Sequence, residues 1–97
     1  MRGELVFHEK RYFNETSFQE IKIWKVPQSK ERPHGFKYSF AFIVNNERIV
    51  CYDNAECKGD HKHFKETEHP YKFESIEQLW KDFMKDVRKF KETTGEG

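Results

Sequence analysis

Residues 52–64, "YDNAECKGDHKHF", gather three carboxylates close to two histidines, with two lysines, a glycine, an amide and a thiol among them. Metal-free cleavage of a phosphodiester needs a base for the ribose 2′-OH, an acid for the leaving oxygen, and positive charge on the phosphate as negative charge builds there. Histidine titrates near neutral pH and can take either proton role. His61 and His63 lie two apart, so on extended chain they point the same way. Lys58 can pair with the phosphate, and Gly59 lets the backbone approach it closely. Asp60 or Asp53 can fix a histidine tautomer, and the Tyr52 ring can stack a base.

Two other readings compete. Asp60, His61, His63 and Cys57 offer carboxylate, imidazole and thiolate to a divalent metal, although their spacing matches no common zinc pattern. In that case the same His/Asp cluster would serve a metal-dependent hydrolase. The blandest reading is a solvated turn. Asp53-Asn54 would then form an Asx turn, Gly59 would supply only a positive φ, and Lys58, Lys62 and Lys65 would be an ordinary charged face. On that reading the chain is a non-catalytic module that binds protein or nucleic acid. Histidines pointing apart into solvent would support it.

The elements that position this loop follow from composition and periodicity. The 97 residues suffice for one domain spanning 1–97 and not for two. Hydrophobic residues make up only 35%, but 16% are aromatic, including ten Phe, so a core of large rings is expected. Lys and Arg number 18 against 17 Asp and Glu, so any nucleic-acid contact must come from a local patch. Two cysteines and no signal-like start point to a soluble cytoplasmic protein without a disulfide framework. No apolar run is long enough to span a bilayer, so no membrane partner is expected.

Four segments read as strands: about Glu4 to Tyr12, Phe18 to Val26, Phe36 to Val44 and Arg48 to Tyr52. The third places Phe36, Tyr38, Phe40, Phe42 and Val44 on one face by strict alternation. Asn45 to Glu47 make a hairpin turn after it. In the fourth, Ile49 and Cys51 share one side, which predicts Cys51 as a small core residue. Ser75 is an N-cap with Gln78 completing a capping box. Ile76, Leu79, Trp80, Phe83, Met84, Val87 and Phe90 then form one apolar helical stripe, and residues 93–97 are expected to fray. The predicted class is α+β: a four- to five-stranded antiparallel meander with one C-terminal amphipathic helix packed on one face. An exposed edge strand would let two copies pair as a homodimer.

The combination of "YDN" (Tyr52, Asp53, Asn54), "KGDH-x-H" (Lys58, Gly59, Asp60, His61, His63), "P-Y-x-F" (Pro70, Tyr71, Phe73) and "S-x-E-Q-L" (Ser75 to Leu79) resembles the TumE-type toxin family. "QEIKIWKVP" and "HGFKYSFAF" also resemble it, so the likeness covers nearly the whole chain. The resemblance implies a cytoplasmic toxin of a toxin–antitoxin module, neutralised by a cognate antitoxin. It also implies an endoribonuclease with an RNA substrate; no cofactor is expected for that chemistry, and a divalent metal belongs to the hydrolase alternative. His61 and His63 are then the proton-transfer residues, with Asp60 and Asp53 orienting them. Lys58, Gly59, Tyr52 and Asn54 contact the substrate. Two positions depart from the family pattern: Cys51 stands where an Arg is expected, and Cys57 where a Gly is expected. Lys37 or Arg48 would supply the missing charge, and Cys57 argues against zinc as a shared feature.

Overall fold

The structure is a computed structural model and describes residues 3–30, 32–54, 60–65 and 67–94. Six strands run in sequence order, each antiparallel to the next: β1 (Glu4–Tyr12), β2 (Ser17–Lys25), β3 (Phe36–Val44), β4 (Glu47–Asp53), β5 (His61–Phe64) and β6 (Thr67–Pro70). One helix, α1 (Ile76–Thr94), follows. The meander and its single helix are as expected, with more strands than expected. The short pair β5 and β6 carries only one large apolar side chain, Phe64, so its sequence has no visible alternation.

Local chemistry explains the connections. Asn14 Oδ1 accepts hydrogen bonds from the backbone N–H of Thr16 and Ser17, which closes the β1–β2 turn. Asn45 and Asn46 both have positive φ, 53° and 65°, the pair of values a type I′ hairpin needs. Asparagine tolerates that region better than other side-chain-bearing residues. At the helix start, Ser75 Oγ accepts the Gln78 N–H at 3.0 Å. Gln78 does not complete the capping box, because its side chain donates to Asp82 instead.

The core lies between α1 and one face of the sheet. Tyr38, Phe40, Phe42 and Val44 are buried there, together with Ile21 and Ile23 from β2 and Val50 and Tyr52 from β4. The helix presents Leu79, Phe83, Val87 and Phe90, all buried, at spacings of three and four. Rings meet edge to face: Phe40 contacts Phe83 with centroids 5.4 Å apart, and Phe42 contacts Phe90 at 6.0 Å. Strand β1 adds little. Its Leu5 and Val6 remain about half exposed, and Phe7 reaches the helix through Trp80.

A bulge in β4 decides which residues face the helix. Phe42 pairs with Val50, but the next residue, Ile43, pairs with Arg48, so Ile49 is extra. Val50 and Tyr52 therefore face the helix and Arg48 faces the other way, while the bulged Ile49 still joins the core. This corrects one expectation. Cys51 is buried, but it lies between Ala41 and His63 on the face away from the helix. Burial pushes its thiol pKa up to about 12, and the Asp53 charge adds to the effect, so this thiol stays protonated and is no nucleophile.

Phe83→Ala should cost about 3–5 kcal/mol of unfolding free energy, because a large ring at the centre of the contact leaves a cavity. Val6→Ser on the exposed strand should stay within about 0.5 kcal/mol of the parent. Urea unfolding of the two variants beside the parent checks both.

Candidate functional site

No described helix covers the second sheet face, and pairing register places its residues in rows. One row crosses His8, Lys22, Ser39, Asp53 and His61 from β1 to β5. The next crosses Lys10, Glu20, Ala41, Cys51, His63 and Glu68 from β1 to β6. The centre of this face is thus built from Ser39, Ala41 and Cys51, all small. Larger side chains stand on both sides: Lys22 and Trp24 on β2, His61 and His63 on β5. By side-chain size, this arrangement outlines a shallow trough across the middle of the sheet.

His61 and His63 stand side by side on the trough's β5 wall, with ring centroids 5.4 Å apart. Each faces a carboxylate. His61 Nε2 lies 3.2 Å from Asp53 Oδ1, its direct cross-strand neighbour, and 4.0 Å from Glu68 Oε2. His63 Nε2 lies 3.6 Å from Glu68 Oε1, again its cross-strand neighbour. His61 is nearly enclosed, its side chain 7% exposed, whereas His63 is 37% exposed. Arg48 lies near enough to Cys51 to oppose the upward shift of its thiol, which places positive charge beside the histidines.

The ligand atoms of His61, His63 and Glu68 all fall within 4.8 Å of one another. Two imidazoles and a carboxylate are donors that zinc and related divalent ions accept. Glu68 is absent from the ligand set expected from sequence. Its pairing depends on the β5–β6 hairpin, which periodicity did not reveal. Cys57, Lys58 and Gly59 lie outside the described residues.

Other expected site residues are placed elsewhere. Asp60 does not orient His61 or His63; it faces His34, whose Nε2 lies 3.2 Å from its carboxylate. His34 Nδ1 accepts the Phe36 N–H at 3.2 Å, so the proton of the neutral ring sits on Nε2 and is donated to Asp60. The His34 ring packs on Phe73 at 4.0 Å between centroids. Sequence reading missed His34, which stands alone in a polar loop with no partner spacing to mark it. The buried phenol of Tyr38 lies close by, and burial, reinforced by the Asp60 charge, raises its pKa.

Tyr52 cannot stack a base. It is 1% exposed on the helix side, and its hydroxyl donates to Asp86 Oδ2 at 2.5 Å. Tyr71 donates likewise to Asp82 Oδ2 at 2.5 Å. Asp82 and Asp86 lie one helical turn apart, so these two phenols fasten β4 and the segment after β6 to α1. Burial, then the carboxylate partner, raises both phenol pKa values.

Asn54 is also withdrawn from any substrate. It is buried, its Nδ2 donating to the Phe36 carbonyl at 2.9 Å and its Oδ1 accepting the Tyr38 N–H at 3.0 Å. The side chain thereby continues the β3 ladder past the end of β4. Lys37 and Arg48 do sit on the bare face. Lys37 Nζ lies 5.0 Å from the Trp24 ring centre. His69 pairs with Lys62, and so belongs to the helix-side row rather than to the histidine cluster.

These features define a small α+β protein with one sheet face sealed by a helix and the other carrying a histidine–carboxylate cluster beside basic and aromatic side chains. The chain belongs to the toxin TumE family, whose model matches residues 2–91. It is therefore the toxin component of a toxin–antitoxin system, and its cognate partner is an antitoxin. No curated protein and no solved structure matches it. No described helix is long and apolar enough to cross a membrane.

Asn54→Ala should lower stability by about 1–3 kcal/mol, since it strands the buried Tyr38 N–H and Phe36 carbonyl. Hydrogen exchange at the Tyr38 amide should rise with it. An unchanged exchange rate would show that the side chain does not hold that strand end.

Proposed function

We propose that the chain acts as a toxin by cleaving RNA phosphodiesters at the Asp53, His61, His63 and Glu68 cluster. The observation that carries this reading is the convergence of two histidines on one wall of a trough, each facing a carboxylate. Solvated turn histidines have no reason to share a face and partners. His63 is open to solvent and exchanges protons with the substrate directly. Asp53 holds His61 beside it as the second proton-transfer group. Between them, one removes the 2′-OH proton as that oxygen attacks phosphorus. The other protonates the departing 5′ oxygen as its bond to phosphorus breaks. Arg48 and Lys22, on the same face, offset the charge that builds on the phosphoryl oxygens, with Lys58 assigned to that role from the sequence.

A second reading rests on the approach of His61, His63 and Glu68. Those three would hold a divalent ion, which when bound would activate water and draw charge from the phosphate. The trough and the basic side chains would then serve the same substrate. Asp53 would keep His61 oriented.

Expression of the parent, His63→Ala and His69→Ala separates toxin chemistry from mere binding. Growth arrest and RNA cleavage should vanish for His63→Ala and persist for His69→Ala, which alters an exposed histidine outside the cluster. Arrest by all three would sink the catalytic assignment. Cleavage that survives chelator treatment supports acid–base chemistry by the histidines. Cleavage lost with chelator, restored by added zinc or manganese and absent in Glu68→Gln supports the metal.

A further inference from the structure

At the other end of the bare face, a hollow of about 350 Å³ is lined by Gly3, Trp24, Val26, Arg32 and Lys37. Trp24 and Lys37 are direct cross-strand partners on β2 and β3. The indole is half-buried, with the Lys37 ammonium over its ring, 5.0 Å from the centre. Arg32 comes in from the β2–β3 loop, and its Nη2 donates to the Asn54 carbonyl at 2.9 Å, which holds the guanidinium at the rim of the hollow. Gly3 has no side chain to fill the space. A Cβ there would stand 3.1 Å from Val26 Cγ1 and 3.5 Å from Trp24 Cβ. An aromatic ring covered by the end of a flexible lysine complements a flat heterocycle that carries a phosphate: the ammonium moves to the phosphate and the base takes its place.

The hollow also lies in line with the histidine cluster. Lys37 is two residues along β3 from Ser39, and Ser39 starts the run Ser39, Asp53, His61 across the sheet. Strand spacing and rise put Lys37 roughly 12 Å from His61. The described side chains on the run between them, Ser39 and Asp53, are short.

We propose that this hollow is a nucleotide subsite for single-stranded RNA: a base stacks on Trp24, and Lys37 takes its phosphate. The proposal rests on the RNA reading above and names the substrate class. A duplex buries its base faces in its own stack, so it offers Trp24 nothing. A single strand lying in the trough places one base on Trp24 and a phosphodiester a short run of nucleotides away at His61 and His63. The subsite thus contributes affinity and position, and the cluster contributes the chemistry.

The test uses the full chain carrying His63→Ala, so that the RNA stays intact, and a fluorescein-labelled single-stranded RNA of mixed sequence read by anisotropy. Adding Trp24→Ala should weaken binding roughly 5- to 150-fold, the range that stacking of one base on an aromatic ring is worth. Trp24→Phe should retain most of the affinity. Lys37→Glu should weaken it and make it less dependent on salt. The same RNA annealed to its complement should bind more weakly than the single strand. If Trp24→Ala does not fold, Lys37→Glu and quenching of Trp24 emission in a Trp80→Phe background decide the matter. Full affinity in the Trp24 and Lys37 variants, or equal binding of duplex, overturns the subsite and leaves RNA cleavage standing. No binding of any RNA by the His63→Ala parent overturns both.

Discussion

Among the described residues there is one amphipathic helix and a six-stranded sheet with two faces, and that helix can cover one face. That constraint decides most of the rest. On β3 and β4 it turns the rings and Val50 toward α1, and leaves Ser39, Ala41 and Cys51 at the centre of the other face with Lys37, Ile43 and Arg48 around them. Burying Phe40, Phe42, Tyr38 and Tyr52 against Leu79, Phe83 and Val87 stabilises the domain through few but large contacts. The same alternation leaves Ser39, Ala41 and Cys51 as the floor of the bare face. The trough is thus the other side of the core packing rather than a separate feature.

The two faces also divide the polar chemistry. On the helix side, Tyr52 and Tyr71 spend their hydroxyls on Asp82 and Asp86, and Lys62 lies 3.4 Å from Asp86. These are closed pairs that secure the sheet edge to the helix. On the bare side, His61 and His63 face carboxylates while one ring stays open to solvent. Neighbouring positions therefore serve opposite purposes: Tyr52 and Lys62 hold the fold, while Asp53, His61 and His63 form the candidate site. A two-residue period alone produces that division.

Much of the fold was legible in residue patterns. The alternation in "FKYSFAFIV" and the stripe from Ile76 to Phe90 are strong because each is paired with a buried surface. β5 and β6 were not legible. Their pairing rests on backbone hydrogen bonds at the edge of the sheet, which place few demands on side chains. The β4 bulge was hidden for a similar reason: one extra residue leaves composition unchanged but reverses which residues face the helix. Cys51 and Tyr52 were misread through that step, and Asn54 because an asparagine that ends a strand looks the same whether it faces solvent or caps the neighbouring ladder.

The sequence by itself determined that His61 and His63 share a face, that a helix covers the ringed side of β3, and that the chain resembles a toxin family. Those conclusions depend on local periodicity and on motifs, which are properties of the linear chain. Only the tertiary structure decided the partners. Asp53 and Glu68 meet the histidines because β4 and β6 flank β5, whereas Asp60, next to His61 in the chain, turns to His34. Hydrogen bonds and charges act over a few ångströms of space, and a residue's neighbours across a sheet are set by register, not by sequence distance.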